Sequence, residues 1–407
     1  MDDKILIIIF DGIGDRPVDK FDGKTPLEHA DTPNLDELAF KGISGLMDTI
    51  SPGIRPGSDT GHLAILGYDP YEVYTGRGPF EAAGIGVDLD QNDIAFRCNF
   101  GTYEDGKIVD RRAGRIKEDT KEIAEVIREE VSLDVDFEFK HAVEHRAVLV
   151  LKGEGLGGDV TDIDPHETGV DYHTPEAIVD SPENHKTAEI LKDFTQQTVE
   201  ILKDHPINKK RKEDGKLPAN IILSRGAGKA PEIVDLEKHK GLKGAAISGI
   251  PLVRGVCRLA GMDIIDVEGA TGGMDTDVDA IMKATKDTLE DYDFLLVNIK
   301  GTDLAGHDGL AEQKQEFIEK IDSAITELAD IENVYCAFTG DHSTPVSIMD
   351  HSGDPLPLTI CGEQVRVDDV TEFNERACSK GGLCRIIGKD LLNILLDLSD
   401  RIEKFGA

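Results

Sequence analysis

Asp11, Ser58, Asp303, His307, Asp341, His342 and His351 are spread over almost the whole of a 407-residue chain, and each stands where a loop leaves a strand-like run. They occur in Phe10-Asp11-Gly12, Arg55-Pro56-Gly57-Ser58-Asp59-Thr60-Gly61-His62, Gly301-Thr302-Asp303-Leu304-Ala305-Gly306-His307, Phe338-Thr339-Gly340-Asp341-His342 and Met349-Asp350-His351. Carboxylates and imidazoles together suit a pair of divalent ions such as Mn²⁺, Zn²⁺ or Co²⁺, with Mg²⁺ also admissible, better than a soft, thiolate-bound metal. A serine hydroxyl held against such ions becomes a nucleophile, because the metal stabilises its alkoxide. Each piece alone is weak: Asp-Gly after a strand is usually a turn, and Asp-x-x-x-His pairs are common on helix surfaces. The joint pattern, with a glycine-flanked serine among the ligands, points to a two-metal site. No Gly-x-Gly-x-x-Gly follows a strand and no Walker-type loop is present, so the chain carries no nucleotide-binding signature.

The elements that must hold these residues alternate. Lys4 to Phe10 is a continuous apolar run, the mark of a central parallel strand. A helix opens at Thr32-Pro33, with the proline in its first turn. Later strands are expected at 220–224, 245–248, 294–298 and 334–338, with helices at 252–260, 277–289 and 311–329 between them. This alternation predicts an α/β fold with a doubly wound, mainly parallel sheet and ligands gathered at the strand C-termini. From 76 to 217 the pattern changes to short alternating strands (94–100, 107–110, 137–139, 146–151) beside an acidic helix at 118–130, which reads as a smaller α+β insertion. The charged, turn-rich stretch 205–215 reads as the return linker. The expected domains are therefore 1–75 with 218–407, and 76–217.

Composition narrows the classes. The net charge of −35 disfavours nucleic acid, which needs a basic face, and is the kind of surface that a salty cytoplasm favours. No apolar run reaches the length of a membrane span, and the N-terminus leads straight into a strand, so a cytoplasmic protein without membrane contact is expected. The six cysteines include no Cys-x-x-Cys and are expected as reduced thiols. The sequence leaves a homo-oligomer open.

With the ligand order established, the chain resembles the archaeal-type 2,3-bisphosphoglycerate-independent phosphoglycerate mutases of the alkaline phosphatase superfamily. The resemblance covers nearly the full length and rests on Phe10-Asp11-Gly12-Ile13-Gly14-Asp15, Arg55 to His62, Tyr74-Thr75-Gly76-Arg77-Gly78-Pro79-Phe80-Glu81 and the Gly-Asp-His close. It implies an alkaline-phosphatase-like fold, one metal on Asp11, Ser58, Asp341 and His342, and the other on Asp303, His307 and His351. It also implies that Ser58 takes the phosphoryl group of 3-phosphoglycerate and returns it to the other hydroxyl, giving 2-phosphoglycerate without added bisphosphoglycerate. Glycerate has to stay bound between the half-reactions, which assigns the insertion the role of a lid. Expected substrate contacts are Arg97, Asn99, Arg111, Arg112, Arg115, His145, Arg146, Arg225 and Lys243, with Asp110 as an acid/base group. His62 is expected behind the metals, and His166 and His173 at the surface. A metal-dependent phosphomonoesterase or another phosphomutase would share the metal site and is the alternative reading. A metal-storage protein would have no need of Ser58.

Overall fold

The computed structural model describes residues 3–328, 331–404 and 406. It divides into two compact units, Met1–Val73 with Ile233–Ala407, and Tyr74–Glu232.

The first unit is built on an eight-stranded sheet. Its strands are β1 (Lys4–Phe10) and β2 (Ile43–Asp48) from the start of the chain. The second unit then contributes β3 (Ile94–Glu104), β4 (Lys107–Asp110), β5 (Asp136–His141), β6 (Arg146–Lys152) and β7 (Ile221–Lys229). The chain returns to the first sheet with β8 (Gly244–Ser248), β9 (Asp263–Ile265), β10 (Phe294–Ile299), β11 (Val334–Thr339), β12 (Leu356–Cys361) and β13 (Cys384–Ile387). The order is β13-β2-β12-β11-β1-β10-β8-β9, and only β12 runs against the others. Ile5 to Phe10 and Phe294 to Val297 are wholly buried, as expected of central strands covered by helices on both faces. Strands β2, β9, β12 and β13 lie outside the expected set. β9 and β13 are edge strands of three and four residues, and β12 runs antiparallel to its neighbours.

Register does the positioning. Ile9 pairs with Asn298 on one side and Thr339 on the other, so the next-but-one residues, Asp11, Lys300 and Asp341, emerge side by side at the C-terminal edge. That is the edge where parallel α/β sheets collect ligands.

The second unit corrects one expectation. The strand read at 220–224 does not join the large sheet; β7 pairs antiparallel with β3, with Arg97 opposite Arg225. Its neighbours are β6 on the other side of β3, then β5, with β4 at the far end. One face of this sheet packs Phe96, Cys98, Phe100 and Leu149 against the helices Thr120–Glu130 and Pro182–Lys203. The other face packs Ala95, Val148 and Val150 under Ala82 of the helix Arg77–Gly84. The stretch read as a linker is a helix, Pro206–Glu213, started by His205 and Pro206 and tied down by buried Arg211, whose Nη1 donates to Asp119 at 2.8 Å. The helix expected over 311–329 runs Ala311–Ala324 and ends in a tight turn Ile325–Leu328, while Ala329 lies outside the described residues. The six cysteines are free, and among the described residues no helix is long and apolar enough to cross a membrane.

Candidate active site

All seven residues singled out as metal ligands meet at the C-terminal edge of the large sheet. Asp11 follows β1, Asp303 and His307 lie on the helix Gly301–His307 after β10, and Asp341 and His342 follow β11. Ligand atoms of Asp303, His342 and His351 lie within 4.8 Å of one another, as do those of Asp11, Asp341 and His342. His307 Nε2 stands 3.4 Å from Asp303 Oδ1. His342 therefore belongs to both groups, its ring stacked on His351 at 3.5 Å between centroids.

Ser58 is the first residue of the helix Ser58–Ile65 and is buried, not in an exposed turn. Its Oγ lies 3.3 Å from His342 Nε2, and the exposed amides and dipole of the helix start favour negative charge there.

The surroundings fix this arrangement. Gly12 has φ +70°, and a Cβ on it would stand 2.7 Å from Asp303 and from Thr344, so the loop closes on glycine. A Cβ at Gly306 would meet the Thr344 carbonyl at 2.4 Å, which keeps the helix carrying Asp303 and His307 against the loop after β11. Thr344 Oγ1 donates to Asp303 Oδ1 at 2.8 Å and meets His342 Nδ1 at 3.0 Å, aiming Nε2 at Ser58. His62, buried behind the site as expected, meets the Ser58 carbonyl at 2.7 Å through Nδ1 and the Asn298 amide at 3.3 Å through Nε2. Lys314 is wholly buried, and its Nζ donates to the carbonyls of Gly14 and Thr344 at 3.0 and 2.9 Å and to Asp15 Oδ2 at 2.8 Å. It ties the loop after β1 to the loop after β11.

The electrostatics call for a cation. Asp11, Asp303 and Asp341 are buried together, and Asp341 Oδ2 has no hydrogen-bond partner. Burial and then the Asp11 charge push the Asp341 carboxyl well above the usual carboxylate range. Burial alone would raise Asp303 too, but the Lys300 ammonium and the nearby imidazoles hold it well below that range. Burial drives His342 far down, leaving a neutral imidazole with a lone pair free for a metal. Buried carboxylates, an orphaned oxygen and imidazole nitrogens packed against them are the donor set that a divalent cation satisfies.

A second polar cluster lies on β3, β6 and β7. Arg97 and Asn99 share a face of β3, opposite Arg225 and Arg146 respectively. Arg97 Nε, Asn99 Oδ1 and His145 Nδ1 are buried without hydrogen-bond partners. Beneath them Glu81 receives Arg77 Nε at 3.0 Å and has Arg97 Nε at 3.6 Å. Burial, then the charges of Arg146 and Arg112, push the His145 imidazole down to about 4, so it stays neutral. Concentrated guanidinium groups with unfilled polar atoms beside them have the chemistry that suits an anion.

The basic patch at 111–115 does not act as one group. Arg111 grips Asp164 with two 2.7 Å hydrogen bonds. Arg112 is exposed, with its charge felt by His145 and Arg146. Arg115 borders a surface hollow with Arg211 and Lys216. Asp110 is not placed as an acid or base: its Oδ1 accepts from the amides of Arg112 and Gly114 at 2.7 and 3.0 Å and closes a turn. His166 is half-exposed, yet its Nδ1 meets Arg111 and Arg225 at 3.3 and 3.4 Å. Lys243 is excluded from the site. It precedes β8, at the opposite end of the sheet from the ligands, where its Nζ lies 4.5 Å over the Tyr292 ring. Lys243→Ala is expected to leave turnover within about twofold of the parent, since exposed substitutions remote from a site change little; steady-state assays check this.

A family model described as 2,3-bisphosphoglycerate-independent phosphoglycerate mutase matches residues 39–208. The chain is 54% identical to the 2,3-bisphosphoglycerate-independent phosphoglycerate mutase 1 of Methanothermobacter thermautotrophicus, over 99% of this chain and 100% of the relative. It is 51% identical to the enzyme of that name from Thermococcus kodakarensis, over 99% of each. Among solved structures it is similar to a Pyrococcus horikoshii protein (TM-score 0.89, 42% identity, all of both chains). It is also similar to the cofactor-independent phosphoglycerate mutase of Thermoplasma acidophilum (TM-score 0.73, 38% identity, 98% of this chain and 100% of that one). Identity at this level along the full length places the chain in the 2,3-bisphosphoglycerate-independent phosphoglycerate mutase family.

Proposed function

We propose that this chain interconverts 3-phosphoglycerate and 2-phosphoglycerate, a step of glycolysis and gluconeogenesis, by passing the phosphoryl group through Ser58. The observation that carries the reading is the placement of Ser58 Oγ, at a helix start and 3.3 Å from His342 Nε2, among carboxylates and imidazoles. Asp11, Ser58, Asp341 and His342 would hold one divalent cation and Asp303, His307 and His351 the other, with His342 next to both. Such ions supply Lewis-acid stabilisation of a serine alkoxide and of phosphoryl oxygens.

The chain's own groups then divide the work. Ser58 Oγ bonds to phosphorus as the bond from phosphorus to the glycerate 3-oxygen breaks. The proton that leaves Ser58 is made good at that oxygen. The reverse step forms the bond to the 2-oxygen and restores the Ser58 hydroxyl. Helix amides at Ser58 favour the phosphoserine charge. In the second unit, Arg97, Arg112, Arg146 and Arg225, with Asn99 and neutral His145, are the groups whose chemistry suits the glycerate carboxylate and hydroxyls.

Retention separates a mutase from a phosphatase, because water stands ready to take the phosphoryl group. A well-oriented bound hydroxyl can reach an effective concentration of about 10⁵ M, which outruns water. Arg97→Ala and Arg146→Ala are each expected to raise the ratio of phosphate release to isomerisation by about tenfold, the loss of one charge-assisted contact. An unchanged ratio in both would take the carboxylate away from this cluster.

The direct test is incubation with 3-phosphoglycerate and Mn²⁺ without bisphosphoglycerate, following 2-phosphoglycerate and free phosphate together. Isomerisation well ahead of phosphate release is expected. Stoichiometric phosphate with no 2-phosphoglycerate would make the protein a phosphomonoesterase.

A further inference from the structure

Lys300 stands outside the expected ligand set, yet its ammonium lies within it. It follows the last residue of β10 and precedes the helix Gly301–His307. Its Nζ is 3.0 Å from Asp11 Oδ1 and 2.7 Å from Asp303 Oδ2, spanning carboxylates that belong to the two half-sites. Which oxygens it uses matters. On Asp303, His307, His351 and the Thr344 hydroxyl gather at Oδ1, at 3.4, 3.5 and 2.8 Å, while Lys300 takes Oδ2. A cation seated among those imidazoles therefore leaves the Lys300 contact in place. On Asp11, the Asn298 amide takes Oδ2 at 3.0 Å, and Oδ1 is shared by Lys300 and His342, the latter at 3.5 Å. His342 Nε2 is in turn 3.3 Å from Ser58 Oγ. The ammonium and the nucleophile are thus linked through Asp11 and His342 in one polar cluster, and the lysine side chain is 16% exposed.

We propose that Lys300 is a catalytic residue that binds the transferring phosphoryl group, as a third cationic group alongside the two divalent ions. The assignment rests on the Ser58 reading above. Charge matching supports it. With the ions in place and all three aspartates ionised, Asp11, Asp303 and Asp341 with the Lys300 ammonium sum to −2, and two divalent ions would bring the total to +2, the complement of a phosphomonoester dianion. Without Lys300 the match falls one charge short. An ammonium is a compact point charge with three donors, so it can keep both carboxylates and still face a phosphoryl oxygen. Charge fixed in place before the reaction is worth most where negative charge is being redistributed in transfer.

The test uses the full chain loaded with Mn²⁺, comparing the parent with K300M and K300R. Two quantities are measured: manganese retained, and the rate at which 3-phosphoglycerate adds phosphate to Ser58, by mass spectrometry of rapidly quenched samples. K300M is expected to retain the parent's manganese and to label Ser58 about 100-fold more slowly, the cost of removing one oriented charge donor. K300R, which keeps the charge, is expected to recover part of that rate. Labelling of K300M at the parent rate overturns the proposal. So does a K300M that loses manganese and regains the parent rate once Mn²⁺ is saturating, because Lys300 would then serve only to hold the metals. A parent protein that isomerises without ever labelling Ser58 fails differently: it removes the phosphoserine reading first, and this assignment with it.

Discussion

Ser58→Ala is expected to fold as the parent does and to lose isomerisation by at least about 10⁴-fold, the scale on which removal of a covalent nucleophile acts. The stability cost is small because the hydroxyl makes one long contact, 3.3 Å to His342, and alanine is a good helix former at the first position of Ser58–Ile65. The variant should keep its metal affinity to within the loss of one neutral ligand, since the carboxylates and imidazoles remain. Circular dichroism, metal content and turnover, measured on one preparation, check the three parts. Turnover near that of the parent would remove the serine from the mechanism.

Exhaustive chelation is expected to abolish turnover and to destabilise the unit that carries the site. Three buried aspartates face one ammonium there, burial and the Asp11 charge push the Asp341 carboxyl well above the usual carboxylate range, and its Oδ2 is left without a partner, so the metal-free unit buries acidic groups that only a cation would satisfy. A cation at a thousandfold its dissociation constant adds about 4 kcal/mol to the folded state by mass action. Thermal unfolding should therefore shift upward on adding Mn²⁺ or Co²⁺, and activity should return with it. Full turnover in protein whose metal content has been measured as near zero would contradict the reading.

Much of the site was legible in the sequence because its chemistry sits at strand ends. An apolar run followed at once by Asp-Gly or Gly-Asp-His marks both a buried strand and the ligand at its C-terminus, and register then brings Asp11 and Asp341 together. What remained hidden had no such punctuation. Lys300 and Lys314 are single lysines in an acidic chain, and neither shows by type or spacing that it lies within or beneath the site. Glu81 stood in a quoted motif, but only the fold shows it beneath Arg77 and Arg97. Lys243 was misread because basic character was weighed without strand polarity: a residue before a parallel strand lies at the far end from the ligands. Asp110 shows a turn-closing role that its type and spacing do not signal, its Oδ1 accepting from the amides of Arg112 and Gly114. The strand at 220–224 was assigned to the wrong sheet, since an apolar run does not name its partner; pairing Arg225 with Arg97 moves that arginine into the anion-binding cluster.

The most direct test of the account is to quench the Mn²⁺-loaded protein during turnover of 3-phosphoglycerate and map phosphate on its peptides. One phosphate is expected, on Ser58; it disappears when glycerate is supplied in excess and is absent from Ser58→Ala. Steady isomerisation with Ser58 unmodified at every time point would contradict it.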